Sequence, residues 1–234
     1  MTSCKEWDRQ IPLDFKNWHP QCFETFLIGH NSIAVESLKR IQDFLSIYLW
    51  GPSGSGKTHL IQAVHHDLAD KGLEGGVLDM QKTNSRQVLQ KMKDNLSELQ
   101  YLCLDNIDSI AQTNLEKDVF FLVNEMLEKR YPLVVSARKL PQQCRFNLED
   151  LSSRLSWGPE FLLQTLNEEQ TKSLVKQCAL RRGVIFSDDA IEFLFRRSRR
   201  DLKTLMTTLD QLDHASLSAQ RKLSIPFLKT VLNL

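Results

Sequence analysis

The chain has 234 residues, with 30 Lys and Arg against 29 Asp and Glu, and its formal net charge is +1. A charge so close to zero argues against a protein that coats nucleic acid, because neutralising phosphates requires a surplus of basic side chains. Hydrophobic residues make up 41% of the chain and no low-complexity tract occurs, which excludes a disordered protein. The apolar runs are too short to span a membrane, and the N-terminus lacks the apolar core of a signal peptide.

The five cysteines are scattered, without a CxxC pair or a metal-ligand spacing. An odd number of such thiols in a chain with no signal peptide indicates a reduced, cytoplasmic protein. Together with the short apolar runs, this predicts no membrane partner.

Short apolar runs alternate with amphipathic stretches between about residues 21 and 160. The runs predict strands at 47–50, 76–80, 101–105 and 133–136, and the stretches predict helices at 59–71, 83–99 and 114–129. This alternation predicts an α/β fold in which helices cover a parallel sheet. Residues 1–20, with two prolines and no helical period, predict an extended arm.

From residue 161 to residue 234 the pattern is helical only. Asn167 followed by Gln170 predicts a capping box, and Gly183 predicts the end of that helix. Ser187 and Ser224 predict the starts of two more helices, with a leucine-rich helix from residue 202 between them. The second domain is therefore predicted to be small and all-helical.

The most specific motif is a phosphate-binding loop that fits the pattern GxxxxGK[ST]. It reads Gly51-Pro52-Ser53-Gly54-Ser55-Gly56-Lys57-Thr58. A β run precedes the loop and an amphipathic helix follows it, which is the context that the motif requires. Glycines allow backbone N–H groups to turn toward phosphates at the N-terminus of the helix. Lys57 is expected to reach the β- and γ-phosphates and Thr58 to bind Mg²⁺, so the sequence predicts a nucleotide site.

A second acidic element ends the predicted strand at residues 101–105. Asp105 is expected to hold the Mg²⁺ through water. The next position, which in such sites carries the acid that activates the attacking water, holds Asn106. An amide orients water but does not accept its proton, so slow intrinsic hydrolysis is expected unless Asp108 substitutes for the missing acid.

These motifs together resemble those of the AAA+ ATPases of the DnaA branch. The runs at 51–58, 104–108 and 151–158 occur in that family's order, and residues 26–31 resemble the segment that flanks the adenine in the family. Residues 208–227 resemble, more specifically, the DnaA-related regulators that inactivate the replication initiator DnaA. The resemblance covers nearly the whole chain and implies a bound ADP or ATP with Mg²⁺.

The resemblance implies that Arg154 is an arginine finger, inserted into the nucleotide site of a neighbouring AAA+ subunit. The planar guanidinium suits this role because it stabilises charge on a transferring phosphoryl group. A surface arginine paired with Glu149 or Asp150 is the alternative interpretation.

The resemblance also implies two sensors of the bound nucleotide. Ser136, at the end of a predicted strand, would be the polar sensor between the loop and Asp105. Lys203 stands where the family usually has arginine in its second sensor, and an ammonium lacks the bidentate fork of a guanidinium. Arg200 is the alternative for this second role.

A short peptide near the N-terminus combines a polar head with apolar anchors. Pro12 disfavours a helix, and an extended chain places Ile11, Leu13 and Phe15 on one side. With Gln10 at its start, the peptide resembles those that bind the sliding clamp, which would link the protein indirectly to DNA. A strand packed against the protein's own domain is the alternative.

Two functional hypotheses follow. In the first, an ADP-bound AAA+ protein docks on the DNA-loaded sliding clamp and stimulates ATP hydrolysis by DnaA, which inactivates the initiator. In the second, an autonomous AAA+ ATPase loads a helicase or remodels a DNA complex, which predicts rapid hydrolysis of its own. A small-molecule P-loop kinase is disfavoured, because it leaves the helical domain and the region of Arg154 unexplained. Self-association into a homo-oligomer is left open.

Overall fold

A computed structural model describes residues 21–197, 202–219 and 224–232, except for the side chains at 203 and 216–219. The peptide predicted to bind the clamp (Gln10, Ile11, Leu13 and Phe15) and the alternative sensor Arg200 lie outside the described residues. No helix in the described ranges has the length and apolarity needed to cross a membrane.

A parallel sheet forms the centre of the first domain, as predicted, and in the described part of the chain it has five strands, one more than the four predicted. The strands are β1 (Ser46–Trp50), β2 (Gly75–Asp79), β3 (Tyr101–Asp105), β4 (Leu133–Ala137) and β5 (Glu160–Leu162). Their order across the sheet is β2-β3-β4-β1-β5. The residues of β3 and β4 are buried throughout, because helices cover both faces of the sheet. The carboxyl ends of all the strands therefore meet at one edge.

The helices of this domain enclose two apolar cores, one on each face of the sheet. They are α1 (Ser32–Lys39), α2 (Lys57–Asp70), α3 (Ser85–Asp94), α4 (Leu115–Glu128) and α5 (Glu149–Leu155). The helix α3 is shorter than the predicted 83–99, because the chain turns at Asn95, whose carbonyl accepts the N–H of Glu98 at 3.0 Å. Neither α1 nor the short strand β5 was predicted. Ile33 of α1 is 73% exposed, so the apolar residues of α1 do not all lie on one face of the helix.

The second domain packs four helices around a separate apolar core in the described residues. They are α6 (Glu168–Arg181), α7 (Asp188–Arg197), α8 (Leu202–Ala219) and α9 (Ile225–Leu232). The predicted capping box is present: the Asn167 side chain accepts the Gln170 N–H at 2.8 Å, and the Gln170 side chain accepts the Asn167 N–H at 3.0 Å. Gly183, at φ +74°, follows the end of α6 as predicted. The sheet extends to Leu162, past the division at residue 160 that the sequence pattern suggests.

Candidate functional site

The predicted phosphate-binding loop connects β1 to the first turn of α2. Its backbone has positive φ at Gly51, Gly54 and Gly56. At Gly56, with φ +92°, a Cβ atom would lie 2.6 Å from Cε2 of Phe26, so both the conformation and the space require glycine. The helix α2 begins at Lys57, and the loop therefore presents the N-terminus of a 14-residue helix to the site.

The ammonium of Lys57 lies over this loop. Its Nζ donates to the carbonyl oxygens of Gly51 and Pro52, both at 2.8 Å, and lies 3.4 Å from Oγ of Ser55. Burial lowers the pKa of Lys57, and the nearby carboxylate of Asp105 opposes that effect. Because the closest partners are neutral, this buried cation is suited to receive the negative charge of a phosphate.

The structure brings Thr58, Asp105 and Ser136 together at the carboxyl edge of the sheet. Oγ1 of Thr58 donates to one carboxylate oxygen of Asp105 at 2.6 Å, and Oγ of Ser136 donates to the other. The side chain of Asp105 is 1% exposed, and burial raises its pKa while the two hydroxyls lower it. A hydroxyl beside a buried carboxylate is a donor set that suits a hard divalent cation such as Mg²⁺.

Asn106 and Asp108 follow this carboxylate and have different surroundings. Nδ2 of Asn106 donates to Oδ1 of Asp79, at the end of β2, at 2.9 Å. Asp108 instead accepts the backbone N–H of Arg138 at 3.4 Å. Asn106 lines the cavity described below, together with Asp79. The possibility that Asp108 replaces the missing acid at position 106 therefore gains no support from this contact.

A cavity of about 670 Å³ lies between the α/β domain and the helical domain. Residues of the phosphate-binding loop line one wall, and Phe26, Leu27 and Asn31 line another. The helical domain contributes polar and apolar groups from α6, from the residue that follows it and from α8. These are Leu174, Cys178, Arg181, Arg182, Leu202, Met206 and Thr207.

Three arginines at the cavity were not singled out from the sequence as site residues: Arg138, Arg181 and Arg182. The pair at the end of α6 was interpreted only as a feature of the helix terminus. Arg182 forms an ion pair with Asp210 of α8 at 2.7 Å, so it also joins two helices of the second domain. Which helix residues face the cavity depends on how the second domain packs on the first, and no local pattern in the sequence reports this.

The segment that precedes α1 is fixed to α2 and to the connection between the two domains. Nε2 of His59, in the first turn of α2, lies 2.9 Å from the carbonyl oxygen of Cys22, and its ring contacts Phe26 edge-on at 5.3 Å between centroids. Burial lowers the pKa of His59, which favours the neutral ring. The buried amide of Asn31 pairs with the backbone of Gln164 through two hydrogen bonds, of 3.1 and 2.9 Å. These contacts hold one wall of the cavity against the connection between the domains.

Arg154 lies in α5 and is not among the described residues that line the cavity. Its Cζ lies 4.2 Å from the centre of the Trp157 ring, a cation–π contact. Within the described residues it forms no ion pair with Glu149 or Asp150, contrary to the alternative interpretation. Lys203 lies in the first turn of α8, and its side chain is outside the described set.

A phosphate-binding loop, a carboxylate at the end of a neighbouring strand and a helical domain over the cavity define a P-loop protein of the AAA+ class. Residues 19–162 match the family model of the bacterial DnaA ATPase domain, and residues 167–232 match the model described as the lid domain of Hda. Because the first match covers more than half of the sequence, the chain belongs to the DnaA family. It is an Hda-like, DnaA-related AAA+ protein in a family of replication regulators.

Solved structures have the same fold. Domain III of the Thermotoga maritima replication initiation protein DnaA is 19% identical, with a TM-score of 0.77 over 91% of this chain and 95% of that one. AMPPCP-bound DnaA from Aquifex aeolicus is 17% identical, with a TM-score of 0.67 over 86% and 68%. The RuvB Holliday junction branch migration motor of Thermotoga maritima is 17% identical, with a TM-score of 0.63 over 92% and 72%. At these identities the likeness concerns the fold alone.

Proposed function

We propose that this protein is a cytoplasmic negative regulator of replication initiation. In this proposal it holds ADP, docks on the DNA-loaded sliding clamp and stimulates ATP hydrolysis by the initiator DnaA. DnaA that has hydrolysed its ATP no longer initiates, and contact with DNA is indirect, through the clamp.

The nucleotide in this proposal is ADP, or ATP, bound in the cavity between the domains. The loop from Gly51 to Thr58 would hold the phosphates, while the segment around Phe26 would flank the base. DnaA of Aquifex aeolicus binds AMPPCP with the same fold, which supports an adenine nucleotide. Thr58 would bind Mg²⁺ directly and Asp105 through water, and the ion would neutralise phosphate charge. The contact between these two side chains, 2.6 Å, fits that arrangement.

The position of Arg154 carries the proposal. Its guanidinium stacks on a surface tryptophan that is 54% exposed, and among the described residues it forms no ion pair with a carboxylate. It lies apart from the protein's own cavity lining. A stacked, unneutralised cation beside an exposed aromatic ring is typical of the centre of a protein interface, where arginine and tryptophan contribute most of the binding energy. These features support a finger that acts on the nucleotide of another subunit.

The clamp-binding part of the proposal depends on Gln10, Ile11, Leu13 and Phe15, which lie outside the described residues. The described chain starts at Gln21, whose carbonyl oxygen lies 3.1 Å from Nδ1 of His66 on α2. Gln21, which follows the arm in the sequence, is therefore held against α2.

The proposal is tested by measuring phosphate release from ATP-loaded DnaA, with clamp loaded on DNA, in the presence and absence of this protein. We expect release to require both the protein and the clamp, and Arg154→Ala to reduce the stimulated rate at least about 100-fold. Arg86→Ala, which removes an exposed arginine from α3, is the matched control and should stimulate as the wild type does. Hydrolysis that is rapid with this protein alone and indifferent to clamp and DnaA would favour the autonomous ATPase.

Two further variants separate the parts of the proposal. Lys57→Ala should abolish nucleotide binding, measured with a fluorescent ADP analogue, and retained binding would refute the assignment of the loop. Phe15→Ala should weaken binding to the clamp, measured by surface plasmon resonance. The control for the second is Phe121→Ala, which removes a phenylalanine of α4 that is 43% exposed.

A further inference from the structure

An acid and an amide face each other at the carboxyl edge of the sheet, on strands that are adjacent and parallel. Asp79, the last residue of β2, is in register with Asp105, the last residue of β3, and Asn106 comes next. Nδ2 of Asn106 donates to Oδ1 of Asp79 at 2.9 Å, and the backbone N–H of Gln81 donates to the same oxygen at 3.1 Å. Both side chains line the nucleotide cavity with Lys57 and Thr58.

This contact fixes which end of the amide faces Asp79. An ionised carboxylate only accepts hydrogen bonds, so the NH₂ group of Asn106 must point to it and the amide oxygen must point away. The backbone of Asn106 is held as well: it is left-handed, with φ +58°, and its N–H donates to Oγ of Ser136 at 3.2 Å. Asn106 is therefore fixed at both its backbone and its side chain.

We propose that Asp79 is a positioning residue that holds the Asn106 amide with its oxygen free toward the nucleotide, and that this pair keeps the protein's own ATP hydrolysis slow. An amide oxygen accepts a hydrogen bond from water but does not remove its proton, so water is oriented without being activated. The two side chains are complementary, because Asn106 supplies a donor and the carboxylate of Asp79 accepts it beside the N–H of Gln81.

Because Asp79 and Asn106 are paired, changing Asn106 alone should have a different effect from exchanging the two residues. Asn106→Asp restores an acid but places it against Asp79, so that two carboxylates repel each other and the donor to Asp79 is lost. Asp79→Asn/Asn106→Asp exchanges the two groups and keeps one donor facing one carboxylate. The exchange should therefore restore an acid at position 106 without the repulsion.

The test compares the wild type, both single variants and the exchanged double variant without clamp or DnaA. Single-turnover hydrolysis is measured with protein in excess over ATP and with Mg²⁺, and thermal unfolding is measured without nucleotide. In the exchanged variant the water oxygen bonds to the γ-phosphorus, the bond from that phosphorus to the β–γ bridging oxygen breaks and ADP leaves with the electron pair. The proton of the water passes to the acid at position 106 and then to solvent.

We expect the exchanged variant to hydrolyse ATP at least about tenfold faster than the wild type and than Asp79→Asn, since a positioned base contributes factors of about 10²–10⁴. Asn106→Asp should be slower than the exchanged variant and should unfold at a lower temperature than it. Asp70→Asn, an exposed acid at the end of α2, is the matched control for loss of one negative charge. The proposal is overturned if Asn106→Asp equals the exchanged variant in both rate and unfolding temperature, or if the exchanged variant is as slow as the wild type.

A second measurement keeps the proposal testable should the exchanged variant not fold. The side-chain NH₂ signals of Asn106, assigned by their loss in Asn106→Asp, should show slow solvent exchange in the wild type and fast exchange in Asp79→Ala, which removes the acceptor. Signals that do not change in Asp79→Ala would overturn the positioning role. All these measurements use only the protein's own nucleotide site, so the proposed action on DnaA can fail without affecting them.

Discussion

Replacing Ser136 by alanine tests how much the hydrogen bond from its hydroxyl to the buried carboxylate of Asp105, at the end of β3, contributes to the stability of the protein. Ser136 is fully buried, and its Oγ has two partners: it donates to Asp105 and accepts the backbone N–H of Asn106 at 3.2 Å. Alanine has nearly the same volume without the hydroxyl, so the change removes hydrogen bonds and creates only a small cavity.

The expected loss of stability follows from these two contacts. A hydrogen bond to a charged group contributes about 1.5–3 kcal/mol, and leaving the N–H of Asn106 without its partner costs about 1 kcal/mol, since Asn106 is half-exposed and water can reach it. We therefore expect Ser136→Ala to lower the free energy of unfolding by about 2.5–4 kcal/mol at neutral pH. Ser109→Ala is the control. It removes an exposed hydroxyl that donates to the carbonyl oxygen of Asn106 at 2.8 Å, and it should cost less than about 1 kcal/mol.

The loss should also depend on pH in a defined direction. Burial raises the pKa of Asp105 above its usual 3.8, so the folded state binds a proton more readily than the unfolded state, and the ionised carboxylate costs stability as pH rises above that value. The Ser136 hydroxyl lowers the pKa of Asp105, so removing it raises the pKa further. The difference in stability between variant and wild type should therefore be larger at neutral than at mildly acidic pH.

Urea unfolding without nucleotide and with a chelator present, at both pH values, measures these differences. If Ser136→Ala and Ser109→Ala lowered the free energy of unfolding by equal small amounts, the hydrogen bond from the buried hydroxyl would not be needed to stabilise the carboxylate of Asp105. A loss that grows on acidification would contradict the assigned direction of the pKa shift.

Two other substitutions test the connection between the domains and the packing within the first domain. Asn31→Ala should lower the free energy of unfolding by about 1–3 kcal/mol and weaken ADP binding, because the two hydrogen bonds to the backbone of Gln164 are lost; urea unfolding and a fluorescent ADP analogue measure these effects. Gly158→Ala should cost about 3 kcal/mol or leave the protein insoluble, because its Cβ would lie 1.9 Å from the carbonyl oxygen of Ser46; an unchanged melting temperature would contradict this.

The sequence predicted the parts of the site that are contiguous in the chain. The phosphate-binding loop is a run of eight residues between a strand and a helix, so its fold follows from local conformation, and Lys57 and Thr58 lie where the motif requires. The capping box at Asn167 was predicted for the same reason, because all its partners are within three residues. The five-strand order was not predicted, since apolar runs report burial but not which strand is the neighbour of which.

The parts of the cavity that come from the helical domain were predicted less well. Arg181 and Arg138 are exposed, polar and at the ends of elements, where charged residues are common without any role. Their position at the cavity depends on the packing of one domain against another, which involves residues far apart in the chain. The function of Arg154 likewise was inferred only from a family resemblance, because a single arginine after two serines has no chemical signature of its own.

The pair of Asp79 and Asn106 shows where sequence reasoning can be extended. In a parallel sheet the carboxyl ends of adjacent strands meet at one edge, so a polar residue that ends one strand lies near the residue that ends the next. Here the register pairs Asp79 with Asp105, which brings the acid on β2 within hydrogen-bond distance of the residue that follows β3. Replacing an expected acid by an amide therefore changes which partner suits the neighbouring strand, because the NH₂ group of the amide donates and the carboxylate of Asp79 accepts. An amide at the position of a catalytic acid is best interpreted together with the last residue of the adjacent strand.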